Sequence, residues 1–199
     1  MSLLFSRLKK IIFKRMEQKL APTLSYHGVF HTRDDVLPAV NFLAEEIGIG
    51  DEDLLLLNTA ALLHDVGYLL RYEQNEPLAA EFARDVLPKF GYTRGQILII
   101  AEIIMKTIMP QQPESLLEQI MCDADLDSLG RADFWFLSQK LRDELCAHGH
   151  SIASEDWLYR QRDFLLGHQY FTSAARIRGD KGKKNNLRQL EIMIQGLES

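Results

Sequence analysis

The hydrophobic pattern of the chain is helical along almost its whole length. Apolar residues recur at spacings of three and four, as Val36, Val40, Leu43 and Ile47 do in the segment 32–48. No run of four to eight alternating β-branched residues lies between turn signals, so no strand is predicted. Glycines and prolines divide the pattern into about eight or nine helices. The fold class predicted from this pattern is all-α.

The predicted helices have recognisable starts and ends. The segment 51–67 opens with three acidic residues, which suit a helix N-terminus, and ends at Gly67. Pro77 stands near the start of the next helix, where its missing N–H costs nothing, and Gly91 ends it. The basic stretch 178–186 is predicted to be a solvated turn. The predicted helical segments are 32–48, 51–67, 76–91, 93–107, 114–130, about 132–148, about 155–178 and 184–197.

Composition limits the environment and the partners. The chain has 199 residues and a formal net charge of -5, which argues against duplex nucleic acid as a partner because phosphate binding needs a basic surface. No apolar run reaches the roughly 18 residues that span a bilayer. Cys122 and Cys146 do not form a CxxC motif, and we expect them to be thiols of a cytoplasmic protein.

Residues 1–20 form a basic amphipathic segment. Leu4, Leu8, Ile11, Ile12 and Met16 fall near one helical face, and lysines and arginines separate them. Such a helix can lie on an anionic membrane, but more often it packs its apolar face on its own domain. We favour packing and keep membrane contact by residues 1–20 as the alternative.

Three separate segments carry side chains that can bind metals. The segment AALLHDVGY places His64 and Asp65 together at the end of an apolar helix. His64 could simply be a buried core histidine, and Asp65 a helix cap. The other segments, YHGVFHT and CDADLDSLG, add His27, His31, Asp123, Asp125 and Asp127. Clustered carboxylates repel one another unless a cation neutralises them, and helical bundles build metal sites from facing helices.

The order H…HD…D in an all-α chain resembles the HD superfamily of metal-dependent phosphohydrolases. The resemblance rests on FHTRDDV, AALLHDVGY and MCDADLDSLGR, and it covers about residues 26–131. It implies an HD-domain helical bundle as a single domain over 1–199. An N-terminal helix, 1–22, and C-terminal helices, 132–199, are expected to pack on this core.

The resemblance also implies the ligands of one divalent metal ion, which could be Mn, Co, Ni, Fe, Mg or Zn. Those ligands are His31, His64, Asp65 and Asp125, with Asp123 as a competing candidate for the last position. Family members with two metals usually have extra histidines after the doublet. No histidine lies between His64 and His148 here, so a single ion is expected.

Further residues are candidates for catalysis and for substrate binding. Asp65 could steer or deprotonate the attacking water besides binding metal, and Glu76 could hydrogen-bond a ligand or a water. His27, Lys106 and Arg131 are the predicted substrate contacts. The alternatives are that His27 only packs and that Lys106, which interrupts an apolar helix, only extends its ammonium to water.

The resemblance implies a phosphohydrolase that cleaves a phosphate ester of a nucleotide or another small phosphorylated metabolite. The metal would lower the pKa of a bound water so that it attacks phosphorus near neutral pH. The alternative is a non-catalytic, metal-holding helical module that binds a nucleotide or a protein partner. The aromatic residues of the last third are expected to pack between helices, although a lid over the site is a second interpretation.

Overall fold

The computed structural model describes residues 3–197, and these residues form nine α-helices and no strand. The all-α prediction is therefore confirmed, while residues 1–2 and 198–199 of the predicted domain lie outside the described range. The helices are α1 (Leu3–Lys19), α2 (Leu37–Ile47), α3 (Asp51–Leu63), α4 (Asn75–Val86), α5 (Arg94–Met105), α6 (Leu116–Asp125), α7 (Phe134–Ala147), α8 (Ser154–Gly167) and α9 (Ser173–Gln195).

Short turns of other helical types join several of these helices. A wide π-helical turn, His31–Val36, runs directly into α2, and tight 3₁₀ turns follow α3, α4 and α6 at Val66–Leu69, Leu87–Phe90 and Asp127–Gly130. Helices α2, α3, α5 and α6 pack against one another. The first of these turns and the ends of α3 and α6 therefore come close together in the middle of the molecule.

The prediction that the third helix runs on to Gly67 is wrong. Helix α3 ends at Leu63, so His64 and Asp65 lie beyond the last helical turn. A side chain at position 67 would overlap the backbone carbonyl of Asn75. The glycine is therefore needed for the close approach of the start of α4.

The predicted helix over 155–178 is also wrong, because α8 ends at Gly167 and α9 begins at Ser173. The side-chain oxygen of Thr172 accepts a hydrogen bond from the Ala175 N–H and caps the new helix. The basic stretch 178–186 is helical rather than a turn. A Cβ at Gly182 would overlap the carbonyl oxygen of Gly130, so this glycine lets α9 lie against the turn after α6.

Helix α1 packs on the main core through Phe5, Leu8, Ile12 and Met16, each at most 2% exposed. Full burial of one such side chain stabilises a fold by ~1.5–3 kcal/mol. Helix α1 thus lies on the core, although Leu4 and Ile11, which we placed on the same face, are 47% and 45% exposed. No helix within residues 3–197 has both the length and the apolar character that crossing a membrane requires.

Candidate metal centre and its cavity

The four predicted metal ligands lie at the ends of helical elements. His31 is the first residue of the π-helical turn before α2, and His64 and Asp65 follow the last residue of α3. Asp125 is the last residue of α6. Side chains at helix ends can turn toward a common point without breaking the helix, and the packing of α2, α3 and α6 supplies that point.

The structure brings these four side chains together. His31 Nε2 lies 3.2 Å from Asp125 Oδ1 and 3.8 Å from Asp65 Oδ2. His64 Nε2 lies 3.1 Å from Asp65 Oδ2 and 3.5 Å from Asp125 Oδ1. Ligand atoms about 2.1 Å from one ion lie no more than about 4.2 Å apart, and all four distances fall within that limit.

The hydrogen bonds of His64 favour a cation at this point. Its Nδ1–H donates to the carbonyl oxygen of Ala61 at 2.8 Å, so Nε2 is the nitrogen that faces the cluster. Within the described chain, neither His64 Nε2 nor Asp65 Oδ2 has a hydrogen-bond partner, although both are buried. Two lone pairs that face each other in a dry site repel unless a proton or a cation lies between them.

A carboxylate lies near the ring nitrogen of His31 that faces away from the cluster, where metal-binding histidines usually have one. Its Nδ1 faces Asp35 Oδ2 at 3.9 Å, while its Nε2 faces the cluster. Asp35 is in turn bound by the guanidinium of Arg131, with Nη1 2.5 Å from Oδ1. Such outer partners fix the orientation of an imidazole and raise its basicity as a ligand.

The carboxylates of the cluster raise the pKa values of its two histidines, so the cluster attracts positive charge. Burial lowers the pKa of His31, but the carboxylates of Asp125, Asp35 and Asp65 outweigh burial and raise it to about 9. Burial likewise opposes protonation of His64, yet the same kind of pairing raises its pKa well above the usual value. Burial acts to raise the pKa of Asp125, and the two imidazoles lower it.

These residues fit a divalent cation. Three of them, His31, His64 and Asp65, each offer a ligand atom within 4.8 Å of the others, and all three are buried. Asp125 is not part of this group, although its Oδ1 lies 3.2 Å from His31 Nε2 and 3.5 Å from His64 Nε2. Imidazole nitrogen and carboxylate oxygen suit zinc, iron, nickel, cobalt and manganese. A cation here would replace the protons that the cluster otherwise attracts.

A cavity of about 580 Å³ opens beside the cluster and is lined in part by His64, Asp65 and Asp125. His27 and Glu76, two of the predicted functional residues, also line it. Enclosed volumes of roughly 300–1,000 Å³ are typical of small-molecule sites. The aromatic residues Phe134 and Phe164 of the C-terminal helices belong to its wall, whereas Tyr170 is buried in the main core.

Other predicted residues lie elsewhere. Lys106 does not line this cavity, and its Nζ pairs with Glu114 Oε1 at 2.6 Å near the surface. Arg131 does not line it either, because its guanidinium is held by Asp35 and Asp133. A direct contact of either with the substrate therefore has no support in the geometry.

Asp123, the competing ligand candidate, faces away from the cluster. Its carboxylate accepts hydrogen bonds from the backbone N–H of Phe171 at 2.8 Å and from the N–H and hydroxyl of Thr172 at 2.8 and 2.7 Å. It thereby fixes the break between α8 and α9.

Sequence reasoning missed Glu144, a fully buried carboxylate on α7. It accepts hydrogen bonds from the backbone N–H of Tyr26 and of His27, and its Oε1 lies 2.5 Å from His27 Nδ1. The His27 ring also stacks on Tyr68, with centroids 4.7 Å apart. No local motif marks Glu144, since its role depends on a contact across 117 positions.

Comparison with known families agrees with this geometry. The family model described as HD domain matches residues 38–128, which include His64, Asp65 and Asp125 but begin after His31. No curated protein and no solved structure gives a significant match. HD domains typically bind divalent metals and are generally metal-dependent hydrolases. The match covers less than half of the chain, and together with the all-helical fold it supports an HD-domain protein.

Proposed function

We propose that the protein is a metal-dependent phosphohydrolase that cleaves a phosphate ester of a small phosphorylated metabolite, with water as the attacking group. The observation that carries this proposal is the meeting of His31, His64, Asp65 and Asp125 beside a cavity that three of them line. A structural role alone would not require these side chains to border a space large enough for a substrate.

The four side chains have separate tasks in this proposal. His31, His64, Asp65 and Asp125 would hold the ion, and a divalent cation supplies charge stabilisation of the phosphoryl group and a water of lowered pKa. Asp65 also borders the cavity, so its second oxygen can orient the attacking water or accept its proton. Glu76, at the start of α4, can hydrogen-bond the same water from the cavity wall.

His27 is the candidate proton donor to the leaving oxygen. The carboxylate of Glu144 is an acceptor, so it holds the proton of His27 on Nδ1 and leaves Nε2 for the cavity. A carboxylate beside an imidazole stabilises the charged imidazolium, which is the form that can donate a proton. Stacking on Tyr68 fixes the plane of the ring.

The test compares the wild-type protein with Asp65→Ala and with Asp85→Ala, a change of the same kind on the exposed side of α4. Metal content is measured by elemental analysis, and phosphate release from nucleotides and sugar phosphates is followed with manganese, cobalt, nickel and magnesium. We expect about one metal per chain and chelator-sensitive turnover in the wild type and in Asp85→Ala. In Asp65→Ala we expect turnover to fall by at least ~100-fold while the helical circular dichroism signal is kept.

Two results would overturn the proposal. Full turnover in Asp65→Ala would remove the assigned site, because a ligand and water-orienting group cannot be dispensable. Stoichiometric metal with no phosphate released from any ester would favour the second candidate, a metal-holding module that binds its ligand without cleaving it.

A further inference from the structure

The cavity beside the candidate metal centre has a largely apolar wall. Helix α7 presents one face to it, with apolar residues spaced by three and four along the helix, and α8 and neighbouring turns complete that wall. The apolar residues that line the cavity and carry this argument are Leu129, Phe134, Leu137, Leu141, Leu145 and Phe164. Such a wall stabilises an apolar group of a ligand by removing it from water.

The charged residues of the cavity are carboxylates and histidines. Among the residues within 3–197 that line it, none is lysine or arginine. Asp65, Asp125 and Glu76 bring three negative charges when ionised, and a divalent cation offsets two of them. Apart from its histidines, the wall therefore has no cationic side chain to balance the second and third phosphates of a polyphosphate, a task that proteins give to lysine and arginine.

Two basic residues that the sequence offered as substrate contacts, Arg131 and Lys106, are bound to other carboxylates. The guanidinium of Arg131 binds Asp35 and Asp133, and the ammonium of Lys106 binds Glu114. Contact of Arg131 with a substrate would compete with its bond to Asp35, which lies beside the imidazole of His31.

Tyrosines provide a second feature of the wall. Tyr68 and Tyr72 both line the cavity, with ring centroids 5.6 Å apart, and Tyr72 stacks on His148 with centroids 3.7 Å apart. Rings fixed in this way offer flat surfaces against which an aromatic or alkyl group can pack at little cost in side-chain entropy.

We infer that the ligand of this cavity is an ester with a single phosphate group and a bulky apolar organic group, aryl or alkyl, rather than a nucleoside triphosphate or another polyphosphate. The inference rests on the proposed function for the cleavage step, since it assigns the phosphate to the metal centre and the organic group to the apolar wall. One anionic group suits the metal centre, and an apolar body suits the apolar residues of the wall.

The experiment measures binding and turnover separately, on the full chain loaded with manganese. Calorimetry compares naphthylmethylphosphonate, which cannot be hydrolysed as an ester, with methylphosphonate and with a non-hydrolysable ATP analogue. We expect naphthylmethylphosphonate to bind at least about tenfold more tightly than either of the others, because methylphosphonate leaves the apolar wall empty and the ATP analogue adds phosphates that no lysine or arginine of the wall can balance. Hydrolysis of naphthyl phosphate, glycerol phosphate and ATP should follow the same order in kcat/KM.

A matched pair of variants locates the effect. Leu141→Ser makes the α7 face polar and should weaken naphthylmethylphosphonate about fivefold while leaving methylphosphonate unchanged. Leu166→Ser changes a 58% exposed leucine outside the cavity and should change neither affinity.

The outcomes separate this inference from the proposed function. Tighter binding or faster hydrolysis of the triphosphate than of the naphthyl compounds overturns the inference and leaves the phosphohydrolase standing. Preference for naphthylmethylphosphonate without cleavage of any ester supports the ligand class and removes the hydrolase. Equal affinity for naphthylmethylphosphonate and methylphosphonate overturns the inference whether or not the esters are cleaved.

Discussion

The buried carboxylate of Glu144 is predicted to stabilise the segment before α2 and to position His27 for catalysis. It accepts three hydrogen bonds: from Tyr26 N–H at 2.8 Å, from His27 N–H at 3.0 Å and from His27 Nδ1 at 2.5 Å. Burial acts to raise the pKa of Glu144, but the bonds from His27 and the backbone outweigh it and lower the pKa. The group is therefore an anion at neutral pH.

The cost of removing this anion follows from those three bonds. A hydrogen bond to a charged group contributes roughly 1.5–3 kcal/mol, and a buried donor left without a partner loses its desolvation free energy as well. The bonds are only part-buried, so water recovers some of that loss. We expect Glu144→Ala to lower the free energy of unfolding by about 3 kcal/mol, which corresponds to a fall in Tm of about 6–12 °C for a chain of this size.

Glu144→Gln separates the two roles. The amide oxygen can still accept from the backbone N–H groups, but it carries no charge to stabilise the imidazolium of His27. We expect metal content to stay at the wild-type level, kcat to fall by about 100-fold and the pH–rate profile to change, since a positioned general acid contributes roughly 10²–10⁴-fold.

Urea unfolding, elemental analysis and a pH–rate profile measure these effects, and Asp143→Ala, at the exposed neighbouring position, is the control. The reasoning is refuted if Glu144→Ala unfolds within about 0.5 kcal/mol of that control. It is also refuted if Glu144→Gln keeps the wild-type kcat and pH profile.

Three further predictions concern other parts of the molecule. Gly182→Ala should lower the free energy of unfolding by at least ~2 kcal/mol, because the new Cβ would overlap backbone atoms. Gly95→Ala, in open space on α5, should leave that free energy unchanged or raise it by ~0.5–1 kcal/mol, and urea unfolding measures both. Burial and the ammonium of Lys183 lower the pKa of His168 from 6.5 to about 4. The unfolded chain therefore binds a proton on His168 at higher pH than the folded chain does. Between pH 6.5 and 4 the free energy of unfolding of the wild type should fall by ~2 kcal/mol relative to that of His168→Asn. Parallel curves of stability against pH for the two proteins would contradict this. Lys106→Met should change kcat and KM by less than about twofold in steady-state assays, because the ammonium pairs with a carboxylate outside the cavity, and a tenfold rise in KM would place it at the substrate.

The helices that bury an apolar face could be predicted from the sequence, because periodicity reports burial directly. Helix α2 ends at Ile47 with Gly48 as its C-cap, as the sequence indicated, and α1 packs on the core. The errors lie where a distant segment decides the local structure. The start of α4 approaches Gly67, and the carboxylate of Asp123 accepts the N–H groups of the segment that separates α8 from α9.

In the candidate site too, some features could be predicted from the sequence and others depend on distant segments. His31, His64, Asp65 and Asp125 were recognisable because they carry a motif, and the structure brings them together. The ion-pair partners of Arg131 and Lys106 were not predictable, because the tertiary fold decides which carboxylate lies beside each cation. Residue type and position in sequence do not reveal which carboxylate lies nearest.

The division between the family core and the C-terminal helices has a consequence for specificity. The HD-domain match ends at residue 128, after the doublet and the last aspartate, whereas much of the apolar wall and the carboxylate that orients His27 come from α7 and α8. The core, together with His31 just before it, thus supplies the groups that would hold a metal, and in the proposed assignment the helices after it would decide which organic group lies beside that metal. Two HD-domain proteins with the same four ligands would therefore select different substrates if their C-terminal helices differ. A polar or basic α7 face in place of Leu137 and Leu141 would suit a polyphosphate, and the leucines of this chain suit a single phosphate on an apolar body.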